Sequence, residues 1–259
     1  MNASFQKNCR HYIQVALGLA IFMISACFFG AMLEAHDSLV HSLIPNSLLR
    51  TVIMGVLMGA TALFIFYSPF TSPSGSHINP AVTLTFLRLH RICRWDALFF
   101  IIFQFAGGTI AVYIMRLWMG KTLTASPVNS VVTVPGNAGI WPALITEFGI
   151  VFVTMAMILF TSNNNRTKKY TRLLAACLVC MWVVIAGPVS GFGMNPARSF
   201  ASAQPSHQWR GFWIYLLMPF AGMLAAAEVF LYVKRNTLFS HSKKNNSPLQ
   251  EEKFSSQLY

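Results

Sequence analysis

The sequence has few charged residues for its length. Only 10% of its 259 residues are charged, against 55% that are hydrophobic, and the mean hydropathy is +0.54. A soluble domain usually carries about 25% charged residues. So little charge cannot cover a water-facing surface. The composition therefore excludes a large soluble domain and indicates a protein built for lipid, with the bilayer as its surroundings.

Acidic residues are the scarcest charged type. The chain has 19 Lys and Arg but only 7 Asp and Glu, which gives a net charge of +12. An excess of this size is also typical of nucleic-acid-binding proteins. Here the basic residues lie in short loops between apolar runs and in the tails, where they orient a membrane protein. We therefore predict no nucleic-acid partner.

Cysteines and histidines are too scattered for a disulfide framework or a catalytic set. Cys177 and Cys180 form a C-x-x-C pair, but the pair lies in an apolar run without further ligands nearby. A zinc site would need such ligands, and an enzyme would need a nucleophile with a base, or a metal cluster. We expect no catalytic residues, no metal and no cofactor.

What the sequence does have is six apolar runs, each close to the roughly 20 residues that cross a bilayer. They are His11–Leu33, Leu49–Ser68, Asp96–Trp118, Trp141–Thr161, Arg172–Pro188 and Gly211–Val233. The first is long enough to span the bilayer and is not predicted to be a cleaved signal peptide. The runs predict an all-α membrane domain over residues 1–235, followed by a polar tail over residues 236–259 that we expect to be disordered.

The distribution of basic residues predicts the orientation. With a cytoplasmic N-terminus, 14 of the 19 lie in the two tails and in the loops around residues 88–94 and 166–172, all on the cytoplasmic side. Short loops rich in Lys and Arg stay in the cytoplasm. The sequence thus predicts a multi-pass protein of the plasma membrane (the inner membrane in a bacterium), with both termini inside.

An eight-residue motif occurs twice, 116 residues apart. Both copies read S-G-x-x-x-N-P-A, at residues 74–81 and 190–197, and they contain the triplets Asn79-Pro80-Ala81 and Asn195-Pro196-Ala197. Each copy lies between the second and third apolar run of its half, about 11–118 and 141–233. Three runs per half give the halves opposite topology, which is an inverted repeat. Asn followed by Pro is typical of a helix start, and the short stretches Pro80–Leu87 and Pro196–Ala203 fit re-entrant half-helices.

Two half-helices that meet near the midplane would form a selective constriction. Each N-terminus carries roughly half a positive charge, which repels cations and protons in a water pore. The amides of Asn79 and Asn195 can donate to a passing oxygen. Gly75 and Gly191 suit extended loops at the pore wall. Arg198 lies at membrane depth, where a charge is costly and usually functional.

Two further polar residues are predicted to anchor the loops that carry the triplets. Glu147 lies within the fourth apolar run, and a buried carboxylate there needs several donors, which loop N–H groups can supply. His77 lies two residues before Asn79, with Ile78 between them. We interpret His77 as a loop anchor or pore-mouth group and not as a titrating gate.

These motifs closely resemble those of the aquaporin, or major intrinsic protein, family, over essentially the whole membrane portion. The two signature loops are similar at residues 74–83 and 187–200, and Gln104 with Gly107 and Gly108 is also similar. The resemblance implies the hourglass fold of six helices and two half-helices, a homotetramer with one pore per subunit, and passive flow. The short loops and tails are similar to those of bacterial members.

The resemblance also implies an aromatic/arginine selectivity filter. Counted from the motifs, it consists of Arg198, Phe192 and Val183, with Gly59 or Met58 at the second-helix position. Strict water channels usually have a His where this chain has Val183 and a large aromatic residue on the second helix. The filter is therefore predicted to be wider and less polar, with mixed water-like and glycerol-like features.

One departure from the family lies in the first helix. The family has a Glu there that pairs with the position of Glu147, whereas the aligned residue here is Val15, next to Gln14. Gln14 is the candidate to substitute for it in part.

The sequence predicts a passive channel that conducts water and small uncharged solutes and excludes ions and protons. The alternative is a facilitator whose main solute is glycerol or another small neutral molecule. An energised transporter would need buried coupling carboxylates, for which only Glu147 and Glu228 are candidates. A purely adhesive membrane protein has no need of the two Asn and the Arg, and all three are present.

Overall fold

The computed structural model describes the backbone of residues 2–244 and the side chains of residues 5–236. Ten α-helices and three short 3₁₀ turns account for the regular structure of the described chain. The helices are α1 (Asn2–Glu34), α2 (Leu39–Leu43), α3 (Ser47–Tyr67), α4 (Pro80–Arg88), α5 (Arg94–Met119), α6 (Lys121–Thr124), α7 (Ile140–Ser162), α8 (Thr171–Ser190), α9 (Pro196–Ser206) and α10 (Phe212–Lys244). The 3₁₀ turns are Ser72–Ser74, Asn129–Val131 and Lys168–Tyr170.

Six of these helices, α1, α3, α5, α7, α8 and α10, are long and apolar enough to cross a membrane. Each covers one of the six predicted runs to within one residue at either end, so the all-α membrane fold is confirmed. The last helix ends at Lys244, which makes the first part of the predicted tail helical. The expectation of disorder for residues 245–259 lies outside the described residues.

The half-helices α4 and α9 begin at the two N-P-A triplets for the same local reason. The Asn79 side chain accepts a hydrogen bond from the Ala81 amide at 2.9 Å, and the Asn195 side chain accepts one from the Ala197 amide at 3.0 Å. The proline that follows each Asn occupies the first helical turn, where its missing N–H would have no partner. Both Asn residues are extended and act as N-caps.

The packing of the helices reflects the inverted repeat. In the first half α1 packs on α5, and in the second half α7 packs on α10, while α3 and α8 join the two halves. Each half-helix contacts the third spanning helix of the other half, since α4 packs on α10 and α9 packs on α5. The two half-helices also touch each other. They are therefore held in the centre by both repeats.

Candidate functional site

The two N-P-A loops are linked by reciprocal hydrogen bonds. The Asn79 amide nitrogen donates to the Met194 carbonyl at 3.0 Å, and the Asn195 amide nitrogen donates to the Ile78 carbonyl at 2.6 Å. An Asn amide carries two N–H donors, so each has one left after this bond. Both side chains also line a cavity. The structure thus leaves a donor from each Asn for a solute oxygen.

Two cavities enter the molecule from opposite faces. We name them by the predicted orientation. The inner cavity, about 590 Å³, opens on the face of the loop between α7 and α8, and the outer cavity, about 370 Å³, is lined by the segment between α6 and α7. Phe22, Phe192 and Arg198 line both. These three residues therefore mark the boundary between the cavities.

Arg198 is the charged residue at that boundary. Its side chain is buried, and its Nε and Nη1 atoms find no hydrogen-bond acceptor among the described residues. The two ion pairs in the described part of the chain, Arg50–Glu34 and Arg88–Glu228, do not include it. Unsatisfied buried donors are costly. Because Arg198 lines both cavities, its guanidinium is placed to bind an oxygen of water or of a hydroxylated solute.

The other residues predicted for the filter lie at the outer cavity, with one exception. Met58, Val183 and Phe192 line the outer cavity with Arg198. Gly59, the other candidate for the second-helix position, does not. A Cβ atom built on Gly59 would lie 2.8 Å from the Cβ of Cys180, so this glycine is at the contact between α3 and α8. Gly59 therefore lies on a face of α3 that is occupied by a neighbouring helix, whereas Met58 lines the cavity, and Met58 is the candidate that we keep for the second-helix position.

Glu147 holds the second loop through three hydrogen bonds. Its fully buried carboxylate accepts from the Gly193 amide at 2.8 Å, the Met194 amide at 2.6 Å and the Ser190 hydroxyl at 2.6 Å. A buried carboxylate needs such donors to offset its desolvation. The loop also contains Gly191, whose φ of 76° suits glycine. The predicted anchoring geometry is thus present.

The first loop is held in a different way. Gln104 in α5 donates from its amide nitrogen to the His77 carbonyl, and it also lies 3.1 Å from the Thr83 hydroxyl. The His77 ring packs between Phe86 and Phe100, with centroids 5.0 and 5.5 Å away. Burial lowers the pKa of His77 to about 4, which keeps the ring neutral near pH 7.

The proposed substitution of Gln14 for the missing first-helix Glu is wrong. The Gln14 side-chain oxygen bonds the ring of His11 at 3.0 Å, within the same helix. Val15, the aligned residue, is fully buried beside Tyr12 and Phe100. The first loop is held instead by a donor from another helix, the amide nitrogen of Gln104 in α5. Sequence reasoning noted Gln104 as typical of the family but gave it no role.

Arg116 is a second site-related residue that sequence reasoning left without a role. Its Nη1 atom donates to Ser206 at 2.9 Å and to Ser130 at 3.2 Å. It therefore ties the C-terminal end of the half-helix α9 to the segment between α6 and α7. A cation near a helix C-terminus is also favoured by the helix dipole. The signal available in the sequence was an arginine near the end of an apolar run.

Comparison with known proteins agrees with this geometry. The sequence model of the family described as Major intrinsic protein matches residues 2–232. The chain belongs to that family.

Similar proteins include plant members of the family. Aquaporin NIP1-2 of Arabidopsis thaliana is 30% identical over 222 residues, which cover 84% of this chain and 72% of that protein. Nodulin-26 of Glycine max is 33% identical over 163 residues, covering 62% of this chain and 58% of that protein. The chain matches little more than half the length of several such relatives. The bacterial resemblance noted above gains no support from these plant proteins.

A solved structure has the same fold. The X-ray structure of the aquaglyceroporin from Plasmodium falciparum superposes with a TM-score of 0.69 at 15% sequence identity, covering 86% of this chain and 95% of that one. With the family assignment and the two cavities, this fold makes the chain a channel for water and small neutral solutes, and the family is one of channels.

Proposed function

We propose that this channel conducts water rapidly and admits a small hydroxylated neutral solute such as glycerol through the same pore. The observation that carries the proposal is the set of residues around the boundary of the two cavities. Arg198 brings a guanidinium to this boundary, whereas Met58, Val183 and Phe192 offer apolar surface. An apolar wall opposite a cation suits a molecule with hydroxyl groups on one side and C–H groups on the other.

Exclusion of ions and protons follows from the half-helices. Both N-termini point toward the central contact of α4 and α9, so two partial positive charges are added to that of Arg198. A cation would meet this field without its hydration shell, which raises its energy. A neutral molecule needs only donors and acceptors for its hydroxyl groups. The same residues thus select for neutral permeants.

The alternative, in which glycerol or another small neutral molecule is the main solute, is favoured by one observation. At the two positions that usually narrow a water filter, this chain has Met58 and Val183 at the outer cavity. Met58 is more flexible than the aromatic residue usual at its position, and Val183 is smaller than the usual imidazole. The relative named above as an aquaglyceroporin has the same fold. The solute ratio, and not the fold, separates the two candidates.

We propose further that the protein assembles as a homotetramer in the plasma membrane with both termini in the cytoplasm. Many large apolar side chains are exposed on the monomer, such as Leu117, Trp141 and Ile145, and lipid or other subunits would cover them. Six spans keep the termini on one side, and the basic loops favour the cytoplasm for that side.

The test is a solute panel on proteoliposomes. An osmotic step with sucrose gives the water permeability from light scattering, and a step with glycerol gives the rate of re-swelling. We expect both rates to exceed those of empty vesicles, with water faster. A glycerol permeability higher than the water permeability would favour the alternative. A glycerol permeability equal to that of empty vesicles would eliminate glycerol as a second solute.

A further inference from the structure

Three cations surround the entrance of the inner cavity. Lys168 and Lys169 lie in the short turn that follows α7, and Arg172 lies in the first turn of α8; all three line the inner cavity and are exposed. The helix α8 begins at Thr171, so the positive end of its dipole points to the same place. The entrance therefore combines three full charges with a partial charge of the same sign. We call these three residues the basic mouth.

Two of the three cations of the basic mouth are held over aromatic rings. The Arg172 guanidinium lies over the Tyr67 ring, 5.6 Å from its centroid, and Tyr67 also lines the inner cavity. The Lys169 ammonium lies 4.8 Å from the centroid of Tyr170. Such contacts hold a cation in place without neutralising it. Two of the charges are thus oriented at the entrance while keeping their full value.

A fourth cation, from the other repeat, contacts a residue of the inner cavity but does not line the cavity itself. Arg91 lies 5.7 Å from the centroid of Phe86, a further residue of the inner cavity. Its Nη2 atom donates to Asn163 at 2.7 Å, at the end of α7. Because the Asn163 side chain is neutral, this hydrogen bond leaves the charge of Arg91 uncompensated. The other repeat therefore adds an uncompensated cation next to the lining of the inner cavity.

No acidic residue of the described chain lines the inner cavity. The five acids between residues 5 and 236 are engaged elsewhere. Glu34 and Glu228 pair with Arg50 and Arg88, Glu147 holds the second loop, Asp96 accepts from Tyr12 and Asp37 accepts from Thr122. The outer cavity differs, because Glu34 lines it together with Arg198. The inner entrance therefore carries several cations and no acidic residue among its described lining.

We propose that the basic mouth binds polyanionic phosphate groups at the cytoplasmic entrance of the pore. Lys and Arg are the side chains that bind phosphate through charge-assisted hydrogen bonds, and several of them around one opening match several phosphates. The source is either a soluble polyphosphorylated compound or the headgroup of an anionic lipid. Orientation of the protein in the membrane needs basic residues only within the loop. It does not require them to line the cavity over aromatic rings.

The experiment uses the full chain in detergent and sodium tripolyphosphate as probe, followed by isothermal titration calorimetry at low salt. We expect saturable binding that weakens as salt is added, because salt screens exposed charges. The triple variant Lys168→Gln, Lys169→Gln, Arg172→Gln should bind about tenfold more weakly, equivalent to about 1.4 kcal/mol. The matched variant Lys7→Gln, Arg10→Gln, Arg94→Gln removes three exposed basic residues outside the cavity lining and should stay within about twofold of the wild type.

A second arm distinguishes the two sources. The chain is placed in nanodiscs with or without phosphatidylinositol 4,5-bisphosphate, and tripolyphosphate is titrated again. Loss of tripolyphosphate binding in the lipid-containing discs identifies the headgroup as a competing occupant, and unchanged binding identifies a soluble anion. No saturable binding in either setting, or equal weakening in both triple variants, would overturn the proposal. Because binding is measured without solute flow, a failure of the proposed conduction would not affect this result.

Discussion

The amide nitrogen of Asn79 lies 3.0 Å from the carbonyl oxygen of Met194, which joins the cap of one half-helix to the loop before the other. The reciprocal bond joins Asn195 to Ile78 at 2.6 Å. Each Asn thus has two structural roles, since its oxygen caps its own helix and its nitrogen holds the opposite loop. The central constriction therefore depends on both repeats at once.

The first prediction concerns the Asn79→Asp variant. The carboxylate keeps an oxygen for the Ala81 amide, but it loses the donor to Met194 and places a negative charge beside a carbonyl. We expect a loss of about 1–3 kcal/mol in stability, as for a broken buried hydrogen bond. The measurement is the melting temperature in detergent.

The matched control is Asn46→Asp. Asn46 is the exposed N-cap of α3, and its side-chain oxygen accepts from the Leu49 amide at 3.0 Å. A negative charge at a helix N-terminus is mildly favourable, so this variant should melt at or slightly above the wild-type temperature. Equal losses in both variants would show that the bond between the repeats contributes nothing.

The second prediction concerns Glu147→Gln. The variant keeps the shape of the side chain but loses the charge that accepts from two backbone amides and Ser190. Hydrogen bonds to a charged group are worth about 1.5–3 kcal/mol. We expect a clearly lower melting temperature and reduced water permeability, because the loop before Arg198 is no longer held.

Glu228→Gln provides the same substitution in a different setting. Glu228 forms an exposed ion pair with Arg88 at 2.9 Å, and such pairs contribute about 1 kcal/mol or less. The water permeability of the Glu228→Gln variant should equal that of the wild type. A result in which both variants behave alike would contradict the anchoring role of Glu147.

The contrast between predicted and observed sites is clearest in the second and third spanning helices. The triplets and the six spans could be predicted because each depends on local sequence, such as the capping of Asn195 or the length of an apolar run. The choice between Met58 and Gly59 could not, because a count along the chain carries an uncertainty of one residue. Only the packing of α8 shows which face of α3 is free.

The anchoring of the first loop was missed for a related reason. A missing carboxylate in α1 suggested a replacement nearby in sequence, and Gln14 is the adjacent polar residue. The structure supplies the polar group from α5 instead, with Gln104 bonded to the His77 carbonyl and to Thr83. A tertiary contact between residues 27 positions apart leaves no local pattern in one sequence.

The third prediction separates Met58 from its neighbour. Met58→Ala removes a side chain from the outer cavity, and we expect the ratio of glycerol to water permeability to rise. Gly59→Ala places a methyl group 2.8 Å from the Cβ of Cys180, so α3 and α8 must shift apart. That variant should melt at a lower temperature with a much smaller change in the permeability ratio.

Gly149→Ala is the control for the glycine substitution. Gly149 lies within α7, and a Cβ atom there would meet nothing within 4 Å. Alanine should stabilise the helix by up to about 1 kcal/mol. If Gly59→Ala rather than Met58→Ala changes the permeability ratio, the assignment of the filter is incorrect.

The fourth prediction concerns Val183→His. An imidazole at this position of the outer cavity adds bulk and a donor opposite the apolar wall, so glycerol should be hindered more than water. We expect the glycerol-to-water ratio to fall by about tenfold, equal to about 1.4 kcal/mol of barrier. Ile185→His, two residues further along α8 and 56% exposed, should leave the ratio unchanged. A fall of the same size in both would indicate a general effect of histidine in this helix.

The proposed function is tested by measuring water and proton flow in the same proteoliposomes. Vesicles with a pH-sensitive dye receive first an osmotic step, followed by light scattering, and then a pH step, followed by dye fluorescence. The proposed function predicts water flow well above that of empty vesicles, while the pH gradient decays no faster than in empty vesicles. Water flow equal to that of empty vesicles, or a pH gradient that collapses along with rapid water flow, would contradict it.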